Sequence, residues 1–256
     1  MIAKSEKGIE NLREAGKHMK QVVDAVLAAV APGVSSMELE RVAREATERV
    51  GGHASYLGYK DSGDKGARMP YPAALCVSIN NEIAHCPPKP EKILKAGDVV
   101  AIDFGLEYKG VYMDTAYTVG VGVVDKKAQN LIEGTREALQ AGIGAAQAGG
   151  FVGDIGSAVQ AVAKKYKLGV VKDLRGHGVG AAVHEEPGIP NFGKAGGGER
   201  LVEGIVLALE PIFAEKSGAM IDDDDGFGYV TQDGLRSAHF EHTILITKDG
   251  AEVLTA

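Results

Sequence analysis

Five residues of this 256-residue chain combine a reactive type with an unusual setting: Asp103, Asp114, His177, Glu210 and Glu241. Asp103 ends the apolar run Val-Val-Ala-Ile-Asp, and Glu210 ends Val-Leu-Ala-Leu-Glu. A lone ionised carboxylate in such a strand is costly unless a partner compensates it. Pro211 follows Glu210 and cannot donate to a sheet ladder, so a strand end or bulge is expected there. Asp103 and Asp114 are 11 residues apart with Gly105 and Gly110 between them. That spacing predicts two antiparallel strands joined by a turn, with both acids on one face. Glu241, in His-Phe-Glu-His-Thr-Ile, precedes the last strand. One acid at a strand end is ordinarily solvated or paired with Arg. Two at equivalent points of a repeat argue for a shared cation, and four carboxylates for two divalent ones.

A nitrogen ligand is expected beside such a cluster. His177 is the strongest candidate, because the glycines of Gly176-His177-Gly178-Val179-Gly180 let backbone approach closely and leave the imidazole unshielded. His184, in His-Glu-Glu-Pro, and His85, in Asn-Glu-Ile-Ala-His-Cys, are candidates for hydrogen-bonding groups around the site. His18 and His53 fall in the helical region or the loop after it and read as structural or solvated. Four oxygen ligands and one imidazole suit Mn, Fe, Co or Zn chemistry better than a closed structural zinc site, which prefers Cys and His. Two adjacent metals lower the pKa of a shared water and clamp attacking and developing oxygens. Amide hydrolysis is the reaction class this points to.

The elements that must position these groups recur twice. Ile9, Leu12, Met19, Val22, Val23, Val26, Leu27 and Val30 form a helical stripe stopped by Pro32-Gly33. Ser35 with Glu38 reads as a capping box before a second stripe of Leu39, Val42, Ala46 and Val50. Glycine-punctuated strands follow at Cys76–Asn80, Val99–Phe104 and Tyr112–Val119. Then Leu131, Thr135, Leu139, Ile143 and Ala146 make a helix broken at Gly149-Gly150. Asp154 is placed to cap a helix carrying Val159, Val162 and Tyr166, and strands follow at Ile205–Phe213 and His239–Thr247. Gly97–Asp103 aligns with Gly204–Glu210, so each half supplies a strand ending in an acid. The chain therefore reads as one α+β domain, residues 1–256, with an internal pseudo-two-fold repeat of about 5–125 and 126–256.

Composition sets the limits. Lys and Arg number 28 against 35 Asp and Glu, a net charge of −7, which argues against non-specific binding to a nucleic-acid backbone and against direct DNA binding. The apolar run Val22–Ala31 contains Asp24 and is far short of the ~20 residues that span a bilayer. No apolar signal core precedes residue 16, and Cys76 and Cys86 fit no disulfide framework, so a reduced, cytoplasmic setting without membrane partners is expected. The 35 glycines, about twice the usual share, imply many turns and close backbone approaches.

Taken in order, the five residues resemble the type I methionine aminopeptidases of the pita-bread metallopeptidase family. Gly-His-Gly-Val-Gly, His-Glu-Glu-Pro and Phe-Glu-His-Thr complete the match, which runs from about Ser5 to Val253. The resemblance implies a curved, mainly antiparallel sheet covered by two related helix pairs. It implies two divalent ions (Co, Mn, Fe, Zn or Ni), with Asp103 chelating one, Asp114 and Glu241 bridging both, and His177 with Glu210 completing the other. Glu210 would also accept the attacking water's proton, His184 would hydrogen-bond the substrate carbonyl, and His85 would contact the scissile amide. A methionine pocket of Tyr59, Tyr71, Cys76, His85 and Phe227 carries over, as does a monovalent-cation site near Asn80, Glu82 and Ser237. The implied substrates are N-termini of peptides and nascent proteins with a small second residue. A transient ribosome contact and a monomeric state complete the expectation.

Two departures from the family pattern bear on the pocket: the extra polar stretch Asp61–Met69 between Tyr59 and Tyr71, and Phe227 where many bacterial members carry Trp. Other signals are set aside. Asp103-Phe104-Gly105 lacks a kinase His-Arg-Asp partner, Gly188–Ala195 lacks the P-loop Ser or Thr, and His184-Glu185 lacks the second His of a zinc-protease helix. Asp222–Asp225 reads as a solvated loop, and Lys164, Lys165 and Lys167 as an exposed helix face. The rival enzyme reading, an Xaa-Pro peptidase, would carry an extra N-terminal domain. A non-catalytic binding protein on the same scaffold would have lost ligands.

Overall fold

The computed structural model describes residues 1–3, 5–60 and 69–256. The elements run α1 (Glu6–Ala29), α2 (Ser36–Val50), β1 (His53–Ala54), β2 (Leu75–Ile79), β3 (Glu82–Ala84), β4 (Val99–Tyr108) and β5 (Val111–Gly120). The second half holds α3 (Lys126–Ala145), α4 (Val152–Tyr166), β6 (Gly169–Val170), β7 (Arg175–Gly178), β8 (Glu185–Pro190) and β9 (Val206–Leu209). It ends with β10 (Ile212–Ala214), β11 (Met220–Asp222), β12 (Tyr229–Thr231), β13 (Ser237–His239), β14 (Glu241–Thr247) and β15 (Gly250–Val253).

The main sheet is antiparallel in the order β1-β4-β5-β14-β9-β7-β8, with β2 added to β4 and β15 to β14. Its centre, β4-β5 beside β14-β9, sets one acid-bearing strand pair from each half side by side. One core joins Leu12, Met19, Val22 and Val26 of α1 and Leu39 of α2 to Val100, Ile102, Phe104 and Leu106 of β4. The other joins Leu131, Leu139 and Ile143 of α3 and Ile155, Val159 and Val162 of α4 to Leu207 and Leu209 of β9 and to Ile244 and Ile246 of β14. Each helix pair thus covers the same face of the sheet, and each stripe read from periodicity is a buried face. Among the described residues no helix is long and apolar enough to cross a membrane.

Several local expectations are corrected. Ser35 caps α2 by accepting from the Glu38 amide at 3.1 Å, but the Glu38 carboxylate turns to Arg41. Asp154 is not the N-cap of α4. Phe151 holds that position, and Asp154 reaches back from the third residue of the helix to accept from the Phe151 amide at 2.8 Å. The expected strand Ile205–Phe213 breaks at Glu210-Pro211 into β9 and β10, and His239–Thr247 breaks at Phe240 into β13 and β14. Proline's missing donor explains the first break. Asp225 is not solvated: it accepts from the Phe227 and Gly228 amides at 2.8 Å and pairs with Lys89 at 3.0 Å. The stretch 61–68 lies outside the described residues; Met69, which follows it, is exposed.

Candidate metal centre

Sheet register alone gathers the five residues. Val100, Ile102, Phe104 and Leu106 face α1 and α2, so alternation along β4 turns Asp103 to the opposite face. Asp103 lies across from Ala116 on β5, and Ala116 across from Glu241 on β14. Asp114, two residues before Ala116, shares that face. Leu209 lies across from His242 and, beyond the breaks, Ile212 lies across from His239. The unchanged register sets Glu210 opposite Glu241. His177 pairs with Ala208, two residues before Glu210.

The side chains converge accordingly. Ligand-type atoms of Asp114, His177 and Glu241 lie within 4.8 Å of one another. His177 Nε2 is 3.8 Å from Asp114 Oδ2 and 3.7 Å from Glu210 Oε1. Asp103 is tied in by Tyr56, whose hydroxyl is 2.7 Å from Asp103 Oδ1 and also hydrogen-bonds Asp114 Oδ1. The Asp114 backbone is held as well: its amide donates to Thr243 Oγ1 at 2.9 Å, and its carbonyl accepts from the same hydroxyl at 2.8 Å.

Burial and mutual repulsion dominate the electrostatics of the cluster. Burial pushes the Asp103 carboxyl up to about 6, against hydrogen bonds from Tyr56 and Cys76 that pull it down. Asp114, Glu210 and Glu241 are raised well above the ordinary carboxylate range, first by burial and then by one another's charge and that of Asp103. Burial also drives His177 down to about 3, so its imidazole is neutral, the form that binds metals. Among the described residues no Lys or Arg forms an ion pair with any of these four carboxylates; the near cationic-type groups are His177 and His239. Buried acids without a protein counter-charge, facing a neutral imidazole, form a donor set suited to divalent cations.

Two groups in the cluster escaped the sequence reading. His239 is buried, its Nε2 is 3.8 Å from Glu210 Oε2 and 3.9 Å from Glu241 Oε2, and that nitrogen has no hydrogen-bond partner among the described residues. Its position two residues before Glu241 was the available signal. Tyr56 was overshadowed by Tyr59 in the same Ser-Tyr-Leu-Gly-Tyr segment.

The His184 ring is 4.5 Å from that of His177, and Tyr59 Oη meets His184 Nδ1 at 2.7 Å. Tyr71 stands edge-on to Phe227 at 5.8 Å and to Tyr56 at 6.5 Å. Cys76 lies opposite Asp103 in the β2–β4 register, and both Cys76 and Cys86 are buried free thiols. His85 is exposed and holds a left-handed φ of 58°, a strained backbone for a residue with a side chain. Asn80, Glu82 and Ser237 also meet: the Ser237 amide donates to the Asn80 carbonyl and its hydroxyl to the Glu82 carbonyl, both at 2.8 Å.

Comparison with known proteins now defines the class. Residues 10–248 match the model of metallopeptidase family M24, and the chain belongs to that family. Within it, the chain is 44% identical to the methionine aminopeptidase of Aquifex aeolicus over 98% of this chain and 97% of that one. The crystal structure of the Thermotoga maritima methionine aminopeptidase superposes with a TM-score of 0.93 at 38% identity, covering 100% of this chain and 99% of that one. The Pyrococcus horikoshii prolidase shares the fold at a TM-score of 0.74 and 24% identity, and this chain covers 63% of it. The architecture is the pita-bread fold, a curled antiparallel half-barrel sheet with four helices.

Proposed function

We propose that this chain is a metal-dependent aminopeptidase that removes N-terminal methionine from peptides and nascent proteins whose second residue is small. The convergence of Asp114, His177 and Glu241 within 4.8 Å, in a chain similar along its length to methionine aminopeptidases, carries this reading. Asp103, Asp114, His177, Glu210 and Glu241 would hold the ions, in one catalytic domain whose halves, about 5–125 and 126–256, each supply a strand pair. A pair of divalent cations, drawn from Co, Mn, Fe, Zn or Ni, supplies Lewis-acid activation of water and of the substrate carbonyl when bound.

The chain's own groups do the rest. Glu210 sits where β9 ends, so its carboxylate is anchored by the strand yet outside the ladder. It takes up the proton of the attacking water and passes it to the departing amine. His184 stands beside His177 with its ring fixed by Tyr59, and donates to the carbonyl oxygen as charge develops there. His85 meets the scissile amide. The rings of Tyr71 and Phe227 with buried Cys76 form an apolar, polarisable wall suited to a methionine thioether, and Tyr59 closes its rim. The Asn80 and Glu82 carbonyls with Ser237 offer a monovalent-cation site. A transient contact with the ribosome, a cytoplasmic setting and a monomeric state accord with action on emerging chains. The test is hydrolysis of Met-Ala-Ser against Gly-Pro-Phe by purified, metal-loaded protein. Cleavage of the methionine peptide is expected, and preference for the proline peptide defeats the assignment.

A further inference from the structure

Tyr56 belongs to no expected ligand set, yet the fold goes to some length to deliver its hydroxyl to the acids. The segment before it pairs with β4, His53 across from Glu107 and Ala54 across from Leu106. The next step continues that register, with the Ser55 amide donating to the Gly105 carbonyl at 2.9 Å. Gly105 itself lies across from Asp114. A Cβ there would stand 2.2 Å from Ser55 Oγ and 2.7 Å from Tyr56 Cε1, so the bare position makes room for the ring. Tyr71 packs edge-on against the ring, with centroids 6.5 Å apart. The phenol is therefore fixed by backbone pairing, a missing side chain and an aromatic neighbour.

The hydroxyl ends between two carboxylates, bonded to Oδ1 of Asp103 and Oδ1 of Asp114. Asp114 Oδ2 instead faces His177 Nε2 at 3.8 Å. Tyr56 thereby decides which oxygen of Asp114 is turned toward the imidazole side and holds Asp103 in the same frame. Loss of a group that orients a ligand in this way typically costs about 10- to 100-fold in metal affinity. We infer that Tyr56 is a positioning residue for the cation shared by Asp103 and Asp114, and that it acts on that ion more than on the one completed by His177 and Glu210. This inference rests on the metallopeptidase reading of the site.

The test is calorimetric titration of chelator-stripped protein with Mn2+, in wild type, Tyr56→Phe and Gly105→Ala. Phenylalanine keeps the ring and removes the hydroxyl; alanine at 105 keeps the hydroxyl and displaces the ring. Wild type is expected to bind in two steps. In each variant one step should weaken by about 10- to 100-fold while the other stays within about threefold. Co2+ absorption at the weakened step should change in the same variants, a signature that a purely structural role would leave alone. If both steps are unchanged in both variants, if both weaken equally, or if either tightens, the positioning role is overturned. A folded wild type that takes up no Mn2+ defeats the metallopeptidase reading itself, and this inference with it.

Discussion

Replacing Asp103 with asparagine should stabilise the metal-stripped fold, although it removes a candidate ligand. In the folded chain burial lifts this carboxyl from an ordinary 3.8 to about 6. The folded state then holds the proton more tightly than the unfolded chain. Asp103 therefore lowers stability fully above its folded pKa, progressively less as pH falls through that window, and not at all below its unfolded pKa. A shift of about two units at roughly 1.4 kcal/mol each amounts to about 3 kcal/mol at neutral pH. Asparagine cannot ionise and keeps an oxygen for Tyr56 and Cys76. Stripped Asp103→Asn should therefore exceed stripped wild type by about 3 kcal/mol at neutral pH, roughly 6–12 °C in Tm for a chain of this size. The two should converge near about pH 4. His177 and His239, each lowered to about 3 by burial, lose stability as pH falls, but both proteins carry them and the effect cancels in the difference. Mn2+ at about 1,000 times the wild-type Kd should reverse the ranking, because it then adds about 4.1 kcal/mol to wild type and much less to a variant that has lost a ligand and binds it weakly. The assay is urea unfolding followed by far-UV circular dichroism at several pH values, with chelator or with Mn2+. A variant less stable than wild type at neutral pH without metal, or a difference independent of pH, refutes the reasoning.

Three further outcomes are expected. His184→Ala should lower kcat for Met-Ala-Ser by about 10²-fold or more with little change in KM, since the imidazole is assigned to charge that develops only during reaction. A rise confined to KM would contradict that role. Phe227→Ala removes the ring that stands 5.8 Å from Tyr71 and should raise KM for methionine peptides while leaving Mn2+ titration unchanged. Gly16→Ala should destabilise the fold by at least about 1–3 kcal/mol in urea titration, because a Cβ on α1 would stand 2.1 Å from the Leu254 carbonyl oxygen.

Much of the fold was legible because its signals are local and periodic. The stripes of α1 to α4 and the strands carrying Asp103 and Asp114 follow from spacing alone, and the shared face of the two acids from strict alternation. What escaped depends on partners distant in sequence. Tyr56 owes its position to a backbone bond between Ser55 and Gly105, and nothing within Ser-Tyr-Leu-Gly-Tyr separates it from Tyr59. His239 lies two residues before Glu241, but the break at Phe240 hides that both belong to one register. Asp225 looks solvated within four consecutive acids until Lys89, far back in the chain, reaches it. Asp154 was correctly linked to the start of α4, yet cap position turns on backbone conformation and not on residue type.

The breaks that obscured the strands are what allow the site to exist. A continuous β9 would keep Glu210 within a ladder rung, with its carboxylate direction dictated by the pleat. Pro211 interrupts the rung, and Phe240 interrupts the partner strand at the same level, while Leu209–His242 and Ile212–His239 hold the register on either side. Glu210 is thus held between paired strands but not locked into the sheet, facing a Glu241 that β14 fixes across from Ala116. Their mutual repulsion is borne by the two hydrophobic cores behind β4, β9 and β14, which do not depend on the site. It follows that stripping metal should cost stability without dissolving the fold, and that the acids rather than the helices should govern how that stability varies with pH.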